Sequence, residues 1–145
     1  MTGPQWLQLG AVMGFLSVAM GAFGAHGLRG RVLAEVSGSD DGRRAVAPER
    51  RLEVFETGAR YNAYHALALV ALGLLVTHAG PSAAANVAGW AFLAGIVIFS
   101  GSLYALGFTG LGVLGAITPI GGVALLIGWA ALAVAAGGIA GARPG

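Results

Sequence analysis

The sequence predicts an all-α polytopic membrane protein, an antiparallel bundle of four transmembrane helices with an amphipathic segment before the second span, in a single membrane domain over residues 1–145. Three observations lead there. Hydrophobic residues make up 57% of the chain and charged residues only 10%, a surface that water would not tolerate. Four apolar stretches cover about residues 6–26, 61–78, 86–108 and 111–139, and a helix needs about 20 such residues to cross about 30 Å of hydrocarbon. Charge, finally, is confined. All eight basic residues are Arg, and seven of them fall with all six acidic residues between Arg29 and Arg60, leaving Arg143 as the only other charged side chain.

The first stretch needs separating from a signal peptide, which is also apolar and ends in small residues such as Ala22-Phe23-Gly24-Ala25. It lacks a basic leading region and its apolar run is long, so it reads as a retained span. Residues 28–60 form the one polar loop. Within it, Ser37-Gly38-Ser39-Asp40-Asp41-Gly42 reads as a flexible, solvated insert. Ala47-Pro48-Glu49 then resembles a helix start, and Leu52, Phe55, Ala59 and Ala63 recur at helical spacing. This predicts an amphipathic turn or two along the membrane surface leading into the second span. Glu56 stands four residues before Arg60, a favourable order for a weak helical ion pair. Gly80-Pro81-Ser82 breaks the second span from the third, and the stretch around Gly110 breaks the third from the fourth. Both connections are short, so consecutive helices are expected to be antiparallel neighbours.

Composition also removes function classes. There is no cysteine, hence no disulfide framework and no thiol chemistry. The Arg-rich loop is nearly balanced by acids, so no nucleic-acid patch is indicated. No nucleophile with a paired base, no deep acid pair and no phosphate-binding loop is visible, and the chain is not read as an enzyme.

Depth is more informative. On the Arg-loop side the four spans present, in turn, His26; then Arg60, Tyr61, Tyr64 and His65; then Ser100, Ser102 and Tyr104; then Thr118 and Pro119. These residues share one half of the membrane and form the candidate functional layer. An aromatic belt accounts equally well for the tyrosines, and Arg60 can snorkel to the headgroups. Ser100 and Ser102 can bond to their own helix, and Pro119 is expected to kink the fourth helix, with Thr118 accommodating the freed carbonyl. His78, at the far end of the second span, reads as interfacial. His26 and His65 stand at similar depth on adjacent antiparallel helices and can face each other, as a haem, quinone or metal site or as a proton relay. No third ligand and no orienting carboxylate accompanies them, so no cofactor is predicted and interhelical hydrogen bonding is the simpler reading.

Packing signals are abundant. Gly10 with Gly14, Ser17 with Gly21 and Ala25 on another face, and Ala91 with Gly95 form small-xxx-small rows, marking close helix contacts within the bundle or between protomers. Trp6, Trp90 and Trp129 can anchor or pack, with Trp129 deep enough to favour packing.

Four ordered blocks carry a resemblance: Gly21-Ala22-Phe23-Gly24-Ala25-His26-Gly27-Leu28, the run from Phe55-Glu56-Thr57-Gly58-Ala59-Arg60-Tyr61 through Asn62-Ala63-Tyr64-His65-Ala66-Leu67-Ala68-Leu69, Phe99-Ser100-Gly101-Ser102-Leu103-Tyr104, and Thr118-Pro119-Ile120-Gly121-Gly122. In this order they resemble the signature of the small membrane proteins known as domain-of-unknown-function family four-two-three, which has bacterial inner-membrane members and eukaryotic transmembrane relatives. The resemblance implies four spans and a retained first helix, and supplies no activity. The stretch from Ser37 to Ala47 looks longer than the family's usual linker.

The reading that follows is a structural or interaction component of the bacterial cytoplasmic membrane, in contact with the lipid bilayer and associating with itself or a larger membrane complex through Gly-rich faces. Transport of a small solute or proton by an oligomer is the alternative from a second class, and a haem, quinone or metal site on His26 and His65 that from a third. Counting Arg, one against seven, places the loop in the cytoplasm and both termini outside.

Overall fold

The computed structural model describes residues 1–38 and 46–141. Among these described residues, four helices are long and apolar enough to cross a membrane, Gly3–Ala34, Pro48–Ala79, Ala83–Thr109 and Gly112–Gly138. The first long helix consists of α1 (Gly3–Phe23), a π-helical turn Gly24–Leu28 and α2 (Arg29–Gly38). The second is α3 (Pro48–Ala79) alone. The third joins α4 (Ala83–Gly95) through a π-helical turn Ile96–Ser100 to α5 (Gly101–Thr109), and the fourth joins a 3-10 turn Gly112–Ala116 to α6 (Thr118–Gly141).

Local chemistry sets the ends. Pro4 lies in the first turn of α1, where its missing N–H is no loss, and Gln5 Oε1 accepts from the Thr2 N–H at 2.9 Å. Pro48 starts α3 in the same way. The Ser82 hydroxyl caps α4 by accepting from the Ala85 N–H at 3.1 Å. Gly110 ends α5 at φ 74°, a left-handed conformation that a side chain would resist.

The spans are arranged as a row folded on itself. α1 packs on α3; α3 packs on the third span, which packs on α6. Close approach makes this possible. Gly3, Gly10 and Ser17 are buried at seven-residue intervals along α1, the spacing of a shallow left-handed crossing. A Cβ on Gly10 would lie 2.8 Å from Val70 N and 2.9 Å from Ala66 O, so here backbone meets backbone. Gly14 and Gly21 face Ala66 and Ala59 of the same partner. The rows on α1 thus lie on one interface, not two faces, while Ala25 is exposed. On the other side of the row Gly95 receives Leu125, and a Cβ on Gly121 would collide with the backbone of Phe99.

Three apolar clusters among the described residues follow from this packing. The largest gathers Trp6, Leu69, Leu72, Ala88 and Phe92 in the half far from the Arg-rich segment. Leu28, Val32 and Phe55 make a second, and Val54, Leu103 and Leu106 a third.

Three expectations need correction. The segment expected as a polar loop is helical at both ends, as α2 and the first turns of α3, because Phe55 and Ala59 bury against neighbouring spans and carry the helix with them. The amphipathic segment therefore continues straight into the second span and does not lie along the surface; residues 39–45 of the expected insert are outside the described residues. Pro119 does not kink a helix: it occupies the first turn of α6, where no intrahelical N–H is lost.

Overpacking in a tight contact costs about 1–3 kcal/mol. Gly121→Val should lose about that much stability in detergent-micelle unfolding followed by circular dichroism, whereas Gly137→Ala, with nothing within 4 Å of the new methyl, should match the parent. Equal stability of the two would mean that α6 does not seat on Phe99 as described.

Candidate functional site

His65 is buried on α3 between the third and fourth spans. The Trp129 indole donates to His65 Nε2 at 3.1 Å, and His65 Nδ1 stands 2.7 Å from the Tyr61 carbonyl. An indole is a donor only, so Nε2 is the unprotonated nitrogen and Nδ1–H donates to Tyr61. Both ring nitrogens are engaged. The ring also lies among Tyr61, Phe92 and Trp129 at centroid distances near 6 Å.

His26 does not join it. The first helix continues past His26 to Gly38, so this histidine is no span end; it is exposed in the π-helical turn Gly24–Leu28. Gly24 faces Phe55 while Gly14 faces Ala66; the two histidines are therefore about 18 Å apart along the helix axes at about 1.5 Å per residue. The facing arrangement that the sequence left open is not formed. Among the described residues no three His, Asp or Glu side chains are grouped as a metal site.

The remaining members of the layer separate into pairs. Asn62 Nδ2 donates to the Tyr104 hydroxyl at 3.3 Å, and the Tyr104 ring packs on Phe55 at 4.9 Å. Ser102 donates to the Phe99 carbonyl at 2.9 Å and its oxygen lies 2.8 Å from Thr118 Oγ1. Ser17 on α1 donates to the Ala59 carbonyl at 2.8 Å. Each span is thus tied to the next, and α3 to α6, by at least one side-chain bond. Ser100 is buried with its hydroxyl unbonded among the described residues, as is the Asn62 carbonyl oxygen. Arg60 is exposed and bonded to Glu56 at 3.0 Å, as the spacing predicts.

Tyr61 and Tyr64 are exposed, with the Tyr61 ring 4.7 Å from Phe99. With His65, Pro119 and Trp129 they line a cleft of about 670 Å³ between α3 and α6. A second cleft of about 370 Å³ lies toward the Arg-rich side, bounded by Arg50, Val54, Leu103, Thr118 and Pro119. The clefts beside Thr118 and Pro119 are therefore bordered mainly by apolar and aromatic groups.

One residue of consequence escaped the sequence reading. Arg51 is 2% exposed, and its guanidinium donates to the carbonyls of Gly107 at 2.9 Å and Phe108 at 2.7 Å. These carbonyls belong to the last turn of α5, which lacks intrahelical donors and carries partial negative charge. Arg31 from α2 stacks on the Phe108 ring at 4.6 Å. The signal was present: Arg51, Phe55, Asn62, His65 and Leu69 fall on one helical stripe, and all are buried.

An interhelical hydrogen bond in a membrane contributes about 0.6 kcal/mol and up to about 1.7 kcal/mol. A double-mutant cycle on His65→Ala and Trp129→Phe, read by unfolding in mixed micelles, should give a coupling in that range; strictly additive effects would remove the bond. Arg51→Gln should destabilise by about 1.5–3 kcal/mol through lost charge-assisted bonds, and Arg50→Gln should be nearly neutral.

The sequence profile of the family described as "Protein of unknown function (DUF423)" matches residues 20–122. The chain is 44% identical over 128 residues to the UPF0382 membrane protein YwdK of Bacillus subtilis, covering 88% of this chain and 92% of that one. It is 42% identical over 127 residues to the UPF0382 membrane protein SAB0533 of Staphylococcus aureus, covering 88% and 90%. A UPF0382 membrane protein of Haemophilus influenzae is 38% identical over 129 residues, covering 89% and 90%. No solved structure matches. The matched region contains all four signature blocks together with Arg51, His65 and Thr118, and the chain belongs to the DUF423 family of membrane proteins.

Proposed function

We propose that this protein is a structural or interaction component of the bacterial cytoplasmic membrane, working through helix association. The observation that carries the reading is the first span. It packs on α3 along one stripe and leaves the rest of its surface outward, with Phe15 and Val18 each 73% exposed. The polar layer favours the same reading, because most of its buried members are engaged in holding spans together.

The surface differs from the one composition suggested. The glycine rows are already filled: Gly10, Gly14 and Gly21 meet α3, and Gly95 meets α6. Association with a second copy or a larger complex therefore falls to the outer face of α1, where Phe15 and Val18 stand between the small Ala11 and Ala22. Such a face offers van der Waals packing, the main force between helices in lipid.

Cross-linking in native membranes tests it. A Val18→Cys protein should form a cross-linked dimer or heteromer, while Val97→Cys, on an exposed position of the third span, should not. A protein that stays monomeric and uncross-linked at both positions would remove the proposal. Orientation is part of the same reading, with the Arg-rich segment in the cytoplasm and both ends outside. A cysteine at Arg29 should then resist a membrane-impermeant thiol reagent in intact cells and react after permeabilisation, and the reverse pattern would invert the topology.

A further inference from the structure

The two clefts share Phe99 and Pro119 as walls and are thus adjacent parts of the groove between α3 and α6, beside the third span. We propose that this groove binds one glycerophospholipid from the leaflet on the Arg-rich side, its phosphate at Arg50 and an acyl chain reaching down to Trp129.

Length supports that occupant. Arg50 lines the shallow end, and the deep end is marked by Trp129, bonded to His65. From Arg50 to His65 along α3 is about 22 Å at about 1.5 Å per residue. One leaflet, headgroups included, is half of about 40–45 Å. The groove therefore runs from the headgroup layer to the bilayer centre.

Chemistry changes along it in the same order as along a phospholipid. At the shallow end Arg50 is held, among the described residues, by an exposed ion pair with Glu53 at 2.7 Å, a weak contact that a phosphate can replace. At the deep end the walls are aromatic and aliphatic, including Val123, Leu126 and Trp129. Volumes of about 370 and 670 Å³ lie in the range of ligand sites. The space is kept by small groups: Gly112 and Gly115 line the upper part and Gly122 the lower. A methyl on Gly122 would make only ordinary contact with Phe99 at 3.8 Å, so a larger side chain there can enter the groove. Because Tyr64, Val123 and Leu126 on its walls are exposed within the spans, lipid chains reach the lower part from the bilayer without crossing water.

The test is native mass spectrometry of the full chain in mild detergent, titrated with dioleoyl phosphatidylglycerol and, as a phosphate-free probe with the same chains, dioleoylglycerol. One phosphatidylglycerol should bind per protomer. Gly122→Phe and, independently, Leu126→Trp should weaken it by about tenfold or more, while Val97→Phe, outside the groove, should not. Arg50→Gln should weaken phosphatidylglycerol about two- to fivefold and leave dioleoylglycerol unchanged. Equal binding by the groove variants and Val97→Phe would mean unspecific boundary lipid and would overturn the proposal. So would a protein dimer, in place of a lipid-bound protomer, that Leu126→Trp disrupts. Diacylglycerol binding as tightly as phosphatidylglycerol would remove the phosphate site at Arg50.

Discussion

Hydrocarbon offers a polar side chain no water, so a hydroxyl, amide or imidazole carried into the membrane gains a hydrogen bond chiefly from the protein itself. Most of this molecule's interior follows from that requirement. Ser17 is answered by the Ala59 carbonyl, Asn62 by Tyr104, His65 by Trp129, and Ser102 by Thr118. Each bond is individually modest, yet each fixes the rotation of one span against another. The glycines make the bonds reachable: Ser17 touches the backbone of α3 because Gly10, Gly14 and Gly21 beside it add no bulk. Close packing and polar satisfaction are thus one device, in which small residues bring the backbones together and short polar side chains lock the register.

The same requirement explains the Arg-rich side. α5 ends at Gly110, and its last carbonyls need donors where the chain turns back. Arg51 supplies them from the first turn of α3. A helix that began at the membrane surface would leave Arg51 too far away. The extension of α3 back to Pro48 therefore has a structural purpose, and it carries Phe55 into contact with Leu28 and Val32 of the lengthened first helix.

Much of this was legible in the sequence because composition alone reports what a bilayer demands. Four apolar runs, a single charged stretch and turns at Gly80 and Gly110 suffice for four antiparallel spans. Glu56 and Arg60 pair as their spacing predicts, since that contact is local to one helix. Small-residue rows correctly announced close contacts, but a row has no label for its partner, and Gly14 and Gly21 turned out to share one interface. A facing histidine pair, one arrangement the sequence leaves open, is absent for a different reason: a first helix that runs on past His26 to Gly38 moves that histidine out of the layer occupied by His65. Arg51 was hidden by its neighbours in a charged segment, although its place on the stripe with Phe55 and Asn62 marked it as inward-facing.

By itself, then, the sequence determined the class of the protein, the number of its spans, the half-membrane where polar residues gather and the residues able to pack closely. These depend on hydrophobicity and helical periodicity, which are properties of each segment taken alone. Only the tertiary structure decided that the polar layer is a set of separate pairs, that α3 and α6 part to leave a groove, and that the outer face of α1 stays uncovered. Those outcomes depend on the rotation of each helix about its own axis, and that rotation is set by contacts between segments far apart in the chain.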